Sequence, residues 1–246
     1  MTPPTPEHSP DVIALSGVRF AWPGSRRFSL AIDAFKVKRG ERLLLTGPSG
    51  AGKSTLLSLL CGIVSPEAGV IRILETDIAQ LPGRARDGFR AEHVGIIFQM
   101  FNLLPYGTVL DNVLLPLSFA PARHARAAKD GSPRNEACRL LRALELEDAL
   151  FDGPPAASLS VGQQQRVAAA RALIGAPAIV LADEPTSALD SSRQAAFLDL
   201  LFHQSVAAGA TLIMVSHDEQ LAPRFDRTVA LADLVQTDAR AAEHTP

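Results

Sequence analysis

The stretch GPSGAGKST, residues 47–55, fits the pattern Gly-x-x-x-x-Gly-Lys-Ser/Thr and lies between two apolar runs, residues 43–45 and 56–64. The glycines of such a loop let the backbone turn tightly, so that successive N–H groups point into one concavity that binds phosphate. A helix starting near Lys53 would add the partial positive charge of its N-terminus. The stretch therefore predicts a site for the phosphates of a nucleotide.

Two residues of this loop have separate predicted roles in binding the nucleotide. Lys53 is predicted to reach the β- and γ-phosphates, and the Ser54 hydroxyl to hold Mg²⁺. Kinases, GTPases, helicases and transport motors share this loop, so other motifs have to identify the class. The predicted ATP-binding residues of the loop are Gly47, Pro48, Ser49, Gly50, Ala51, Gly52, Lys53, Ser54 and Thr55.

The composition is that of a globular chain without a basic excess. Of the 246 residues, 47% are hydrophobic. The chain contains 24 Lys and Arg and 26 Asp and Glu residues, and the resulting net charge of -2 gives no electrostatic argument for a nucleic-acid partner. The sequence has no run of about 18 apolar residues, and Cys61 and Cys138 have neither metal-ligand nor redox spacing. We expect a soluble, cytoplasmic chain with a disordered tail at 1–10 and a single domain at 11–246.

Four short apolar runs that end in polar residues predict the central sheet. Such runs are typical of parallel strands covered on both faces, with chemistry at their C-terminal ends. They are RLLLTG (42–47), VGIIFQ (94–99), AIVLADE (178–184) and TLIMVSH (211–217). Residues 12–37 alternate β-prone runs with turns and favour an antiparallel sheet, whereas about 100–175 favour helices, interrupted by a flexible, solvated connection at 120–136.

Two further stretches carry a family resemblance. SLSVGQQQRVAAARAL (158–173) resembles the Leu-Ser-Gly-Gly-Gln signature and basic, Ala-rich helix of the ATP-binding-cassette ATPases, and IVLADEPTSALD (179–190) resembles their Walker B strand and D-loop. VSHD and IIFQ match the switch histidine and the Q-loop glutamine. With the phosphate loop, five motifs occur in the family's order across essentially the whole chain. The resemblance implies an α/β P-loop NTPase core with a mainly parallel sheet, an N-terminal antiparallel β-subdomain and an inserted helical subdomain.

The resemblance also implies roles for the residues at the strand ends. Asp183 would support Mg²⁺, while Glu184 would accept a proton from the attacking water. His217 would bond the γ-phosphate and position that water. Gln99 would reach Mg²⁺ or water with its amide.

The signature and one aromatic residue complete the predicted nucleotide site. Ser160 is a plausible helix N-cap, and in the family Ser160, Gly162 and Gln163 would meet the γ-phosphate bound to a second copy of the cassette, packed head to tail. Val161 departs from the family, where glycine is usual, but keeps an N–H to donate. Trp22 matches the aromatic residue that stacks on adenine. The alternative for Trp22 is simple packing in the edge sheet.

The resemblance finally implies a membrane partner. A motor without membrane spans would drive a separate transmembrane permease docked beside Gln99, at the inner face of the cell membrane. The stretch 98–117, in which Leu103, Leu104 and Tyr106 would face the permease, most resembles the lipoprotein-release and macrolide-export group. The alternatives are an amino-acid importer, a non-transport cassette acting in cell division or another soluble role, and a degenerate cassette that does not hydrolyse ATP.

Overall fold

A computed structural model of the chain describes residues 11–23, 29–187 and 189–235, which form two sheets and the helices that cover them. The predicted tail at 1–10 lies outside these residues. The strands are β1 (Asp11–Ala21), β2 (Ser29–Lys38), β3 (Arg42–Thr46), β4 (Ala68–Ile73), β5 (Thr76–Asp77), β6 (Val94–Ile97), β7 (Ile179–Asp183), β8 (Thr211–Ser216) and β9 (Arg227–Ala230).

Helices follow the strands of both sheets. They are α1 (Lys53–Leu60), α2 (Gly83–His93), α3 (Val109–Leu114), α4 (Pro121–Ala127), α5 (Pro133–Ala143), α6 (Val161–Leu173), α7 (Ser191–Ala207) and α8 (Leu231–Leu234). Short 3₁₀ helices lie at Ile78–Gln80, Leu115–Ser118, Asp148–Leu150, Ala156–Ser158 and Glu219–Arg224. Among the described residues, none of these helices is long and apolar enough to cross a membrane.

The larger sheet is parallel and has the strand order β6-β7-β8-β3-β9. Its central strands are buried on both faces because alternate residues enter different cores: Leu44 packs in one apolar cluster, and Leu43 and Leu45 pack in the other. The four predicted parallel strands are confirmed. Strand β9 was missed, since its residues are exposed or half-buried and make no continuous apolar run.

The order of the strands brings the predicted chemistry to one edge of this sheet. Strand β8 lies between β7 and β3, with Asp183 opposite Val215 and Thr46 opposite Ser216. The residues that follow these strands therefore leave the sheet side by side at its C-terminal edge. This is the edge at which ligands of open α/β sheets bind.

The smaller sheet is antiparallel and has the order β2-β1-β4-β5. The antiparallel pairing predicted within residues 12–37 is confirmed by β1 and β2, whereas β4 and β5 were not predicted. At a register shift in β1, the main chains of Gly17 and Gly69 approach so closely that a Cβ atom on Gly69 would lie 2.4 Å from the Gly17 carbonyl oxygen. Gly69 is thus required by this contact.

The helical part of the chain comprises α3 to α6, in agreement with the prediction, but the expected flexible connection at 120–136 is wrong. This segment contains α4 and the start of α5. Helix α4 has no apolar stripe, and the largest side chain that it buries is that of Arg123, which is 2% exposed. The Arg123 guanidinium donates to the carbonyl oxygens of Ala172 (2.6 Å) and Ile174 (2.5 Å) at the end of α6. These bonds replace the hydrophobic anchor that the pattern lacks.

Candidate nucleotide site

The phosphate loop joins β3 to α1, and its glycines adopt conformations that other residues avoid. Gly50 and Gly52 have φ angles of 80° and 100°, in the left-handed region, and the Ala51 N–H donates to the Pro48 carbonyl oxygen at 3.2 Å. Helix α1 begins at Lys53, as predicted. The loop therefore ends at a helix N-terminus, the arrangement that favours a phosphate group.

The Lys53 ammonium group is buried within this loop. Its Nζ donates to the carbonyl oxygens of Gly47 (2.7 Å) and Pro48 (3.0 Å), and it lies 3.4 Å from Oε1 of Glu184. The main-chain bonds orient the side chain across the loop rather than out to solvent. The positive charge of Lys53 thus lies between the phosphate loop and the end of β7.

Asp183, the last residue of β7, contacts the start of α1. The Ser54 hydroxyl donates to Asp183 Oδ2 at 2.9 Å. Burial raises the pKa of the Asp183 carboxyl, while the bond from Ser54 and the charge of Lys53 act in the opposite direction. Two of the three side chains predicted to support Mg²⁺ therefore lie together.

Glu184 follows β7 and points to a different neighbour from Asp183. Its Oε2 lies 3.2 Å from Nδ1 of His217, which follows β8. The Glu184 backbone has a φ angle of 43°, and its N–H donates to the Val215 carbonyl oxygen at 3.0 Å. This left-handed turn separates the direction of the Glu184 side chain from that of Asp183.

Trp22 lines the same cavity as the phosphate loop. The indole is 41% exposed, its Nε1–H donates to Thr55 Oγ1 at 3.3 Å, and its ring meets the Phe20 ring edge-on with centroids 5.1 Å apart. The Trp22 ring is therefore anchored to both β1 and α1 and is not buried in the sheet. An anchored aromatic face can stack on a base without further ordering.

Replacing Trp22 with alanine is expected to weaken the binding of ATP and GTP alike by about 1 to 2 kcal/mol, since stacking needs only a π face. Calorimetric titration of both nucleotides checks this expectation. The control is Trp22→Phe, which keeps an aromatic face and should retain most of the affinity. Unchanged affinity in Trp22→Ala would mean that Trp22 only packs against Phe20 and Thr55.

A cavity of about 400 Å³ is lined by six of the nine predicted residues of the phosphate loop and by residues that follow β6 and β7. Gln99, two residues after β6, reaches this cavity although it follows a different strand from Glu184. The lining residues are Trp22, Ser49, Gly50, Gly52, Lys53, Ser54, Thr55, Gln99 and Glu184.

The signature residues do not line this cavity. Ser160, Val161, Gly162 and Gln163 lie at a separate depression of about 500 Å³ beside Leu189. Ser160 caps α6, as predicted: its hydroxyl accepts from the Gln163 N–H at 3.3 Å, and Gln163 Oε1 accepts from the Ser160 N–H at 2.8 Å. The first residue of the helix, Val161, is exposed. Within one chain, the signature therefore lies outside the phosphate-loop cavity.

The segment after Gln99 exposes two apolar side chains, Met100 (80%) and Tyr106 (81%). Leu103 and Leu104 are partly buried, Leu103 against the core, and the main chain of Leu104 is fixed by the buried Asn112 side chain. Of the three residues predicted to face a permease, only Tyr106 is fully exposed. Met100, which was not singled out from the sequence, is equally exposed.

Two polar side chains of α6 that support the site were missed from the sequence. Gln165 is buried, and its Nε2 donates to the carbonyl oxygen of Pro185 at 2.7 Å, directly after Glu184. Arg171 donates to the carbonyl oxygens of Phe101 and Asn102, shortly after Gln99. A signal for Arg171 does exist: it is one charged residue within the otherwise apolar run of residues 167–173.

A parallel sheet with a phosphate loop at the start of a helix, and with a carboxylate pair and a histidine at adjacent strand ends, defines a P-loop nucleoside triphosphatase. The family model described as "ABC transporter" matches residues 30–187. The chain therefore belongs to the ABC transporter family and is an ATPase subunit of the cassette type.

Individual relatives agree with this assignment. The chain is 38% identical over 226 residues to the "Lipoprotein-releasing system ATP-binding protein LolD" of Bacteroides fragilis, a match that covers 90% of this chain and 98% of the relative. It is 43% identical over 197 residues to the "Uncharacterized ABC transporter ATP-binding protein YbbA" of Escherichia coli, covering 80% and 83%. A solved structure, "Dimeric structure of a post-hydrolysis state of the ATP-binding cassette MJ0796 bound to ADP and Pi", matches with a TM-score of 0.75 and 34% identity, covering 89% of this chain and 93% of that one.

Proposed function

We propose that the chain hydrolyses MgATP in the cavity between the phosphate loop and the end of β7, and that it does so to drive a transmembrane permease. The observation that carries the proposal is the convergence of Lys53, Glu184 and His217, in which Glu184 contacts both the lysine and the histidine. Lys53 can bind the γ-phosphate, and the Glu184 carboxylate beside it can act as the base that activates a water molecule. His217, on the other side of Glu184, is a second group that can exchange protons.

The residues beside Lys53 fit a magnesium ion. Ser54 Oγ and Asp183 Oδ2 are 2.9 Å apart, and Gln99 can add an amide oxygen. All three are hard oxygen ligands, which Mg²⁺ prefers over nitrogen or sulfur. The ion would neutralise charge on the β- and γ-phosphates.

The hydrolytic step uses the two side chains on the other side of Lys53. Glu184 accepts the proton of the attacking water, and His217 holds the γ-phosphate and the water in line. The contact between Glu184 Oε2 and His217 Nδ1 fixes the two groups relative to each other. Trp22 holds the adenine ring.

The site is completed by a second copy of the chain. Ser160, Gly162 and Gln163 lie at a depression of their own, at the N-terminus of α6, where main-chain N–H groups can meet an anion. Packed head to tail, two copies would place the signature of each against the ATP bound by the other. The solved relative described as a dimeric cassette bound to ADP and Pi supports this arrangement.

The partner driven by ATP hydrolysis in this two-chain site is a permease of the lipoprotein-release or macrolide-export type. Relatives named as ATP-binding proteins of a lipoprotein-releasing system, at 38 to 42% identity, support this group over the amino-acid importers. The docking surface consists of Met100 and Tyr106, two exposed apolar residues next to Gln99. The cassette would lie in the cytoplasm, at the inner face of the cell membrane, through this contact.

The permease proposal predicts that Met100→Ser with Tyr106→Ala breaks the complex but spares the nucleotide site. The chain is co-expressed with a permease sought among the neighbouring reading frames, and both the co-purified permease and the affinity for ATP are measured. We expect the double variant to retain little permease and to bind ATP as the wild type does, because apolar contacts at an interface core carry much of its affinity.

The matched control is Val206→Ser, an exposed apolar residue on α7 that lies outside the docking surface. It should keep the complex. Retention of the permease by the double variant would contradict the docking surface. Failure of the wild-type chain to bind any neighbouring permease would contradict the transport function itself.

A further inference from the structure

Arg171 is a buried cation whose side chain, among the described residues, bonds only to main-chain oxygens. It is 8% exposed, its Nη1 donates to the Asn102 carbonyl oxygen at 2.7 Å, and its Nη2 donates to that of Phe101. No carboxylate of the described residues forms an ion pair with it, and burial lowers the pKa of the guanidinium. Because a buried charge without a counter-ion is costly, the two carbonyl bonds must compensate for it.

The two residues that Arg171 holds have left-handed backbone conformations, with φ angles of 58° at Phe101 and 49° at Asn102. Asparagine tolerates this region, but a bulky side chain such as that of Phe101 is strained there. The planar guanidinium presents two N–H groups in a fixed fork, which suits two successive carbonyl groups. Arg171 therefore stabilises the turn that directly follows Gln99 and Met100.

Helix α6 connects this turn to the rest of the reaction site. The helix begins next to Ser160, and at about 1.5 Å per residue it reaches Arg171 roughly 15 Å further on. Gln165 of the same helix bonds to the carbonyl oxygen of Pro185, the residue after Glu184. A single helix thus holds the main chain after Gln99, the main chain after Glu184 and the signature.

We infer that Arg171 is a positioning residue of the ATPase reaction, which fixes the Gln99 turn relative to Glu184 and the signature through α6. The side chain touches no reacting atom and acts through Gln99. The inference rests on the proposed role of Gln99 beside the magnesium ion. Loss of the fork would leave ATP binding intact, since the phosphate loop is held by β3 and α1 instead.

The test compares Arg171→Met with Arg142→Met, a control that removes an exposed arginine paired with Asp148 in the same helical part of the chain. Steady-state ATPase kinetics and amide hydrogen exchange are measured on the full chain. We expect Arg171→Met to lower kcat by about ten- to a hundredfold with KM within about twofold, because small displacements from remote changes have effects of this size. Exchange of the Phe101, Asn102 and Leu104 amides should rise by about tenfold or more, with no change in α1.

The outcomes separate positioning from simple stabilisation. Equal acceleration of exchange in α1 and in the turn would show that the substitution loosens the whole domain. Unchanged exchange in the turn would show that Arg171 does not stabilise it. Either result would overturn the inference. Local acceleration with an unchanged kcat would also overturn it. If Arg171→Met does not fold, Arg171→Lys decides. The flexible ammonium group lacks the planar fork that matches two successive carbonyl groups, so this variant should lower kcat without raising KM. A wild-type kcat there rejects the fork.

The proposed role of Gln99 has a separate readout. A Gln99→Ala variant that hydrolyses ATP at the wild-type rate would contradict that role, whatever the exchange data show for Arg171→Met. The failure of the proposed role and the failure of the Arg171 contact are therefore distinguishable.

Discussion

Replacing Lys53 with alanine is expected to abolish measurable ATP binding while the chain stays folded. The Lys53 ammonium group lies between the carbonyl oxygens of Gly47 and Pro48 and the carboxylate of Glu184, where a γ-phosphate would approach. Charge-assisted hydrogen bonds to phosphate are among the strongest polar contacts, and we expect a loss of at least about 3 kcal/mol, or roughly two orders of magnitude in Kd.

The loss of Lys53 also changes the carboxylates around it. The charge of Lys53 lowers the pKa of Asp183, against the larger effect of burial, so its removal would raise this pKa further.

Calorimetric titration with MgATP, alongside circular dichroism, checks the Lys53 prediction. The control is Lys36→Ala, which removes an exposed lysine paired with Asp11 on the antiparallel sheet and should leave the affinity unchanged. Wild-type affinity in Lys53→Ala would contradict the assigned phosphate contact. Loss of the folded signal would mean that the carbonyl bonds of Lys53 are needed for the fold.

The parts of the fold that the sequence predicted are those with a local cause. Strands β3, β7 and β8 are buried on both faces, so each has a continuous apolar run, and each run ends where the polar residues begin. The phosphate loop was predicted because left-handed turns such as those at Gly50 and Gly52 need glycine. Because β7, β8 and β3 are neighbours in the sheet, the residues at or after their C-terminal ends, among them Lys53, Asp183 and His217, come to the same edge.

The parts that were missed depend on contacts between residues far apart in the chain. Helix α4 was predicted as a connection because its anchor, Arg123, bonds to carbonyl oxygens about 50 positions later. Arg171 reaches a turn 69 positions earlier. Hydrophobic periodicity does not register a polar side chain that is buried by bonding to the main chain. Strand β9, at the edge of the sheet, lacks the double burial that identifies its neighbours.

Replacing Glu184 with glutamine is expected to stop hydrolysis and to trap ATP. The amide has the shape of the carboxylate and can still bond to His217, but it cannot take a proton from water, and loss of a general base costs about 10² to 10⁴ in rate. Lys53 and the phosphate loop are unchanged, so ATP should bind and remain. Rapid-quench measurement of single-turnover hydrolysis, with Glu147→Gln as an exposed control, checks the rate.

The trapped ATP should in turn hold two chains together. Ser160 and Gly162 lie at a depression apart from the phosphate-loop cavity of their own chain, so in the proposed arrangement they contact the ATP bound to a second copy. Glu184→Gln should therefore elute as a dimer with MgATP and as a monomer without nucleotide, since a ligand bound between two chains stabilises their association. Adding Ser160→Arg should restore the monomer by placing a bulky side chain at the shared phosphate. Wild-type hydrolysis by Glu184→Gln would reject Glu184 as the base, and a monomer in saturating MgATP would count against the two-chain site.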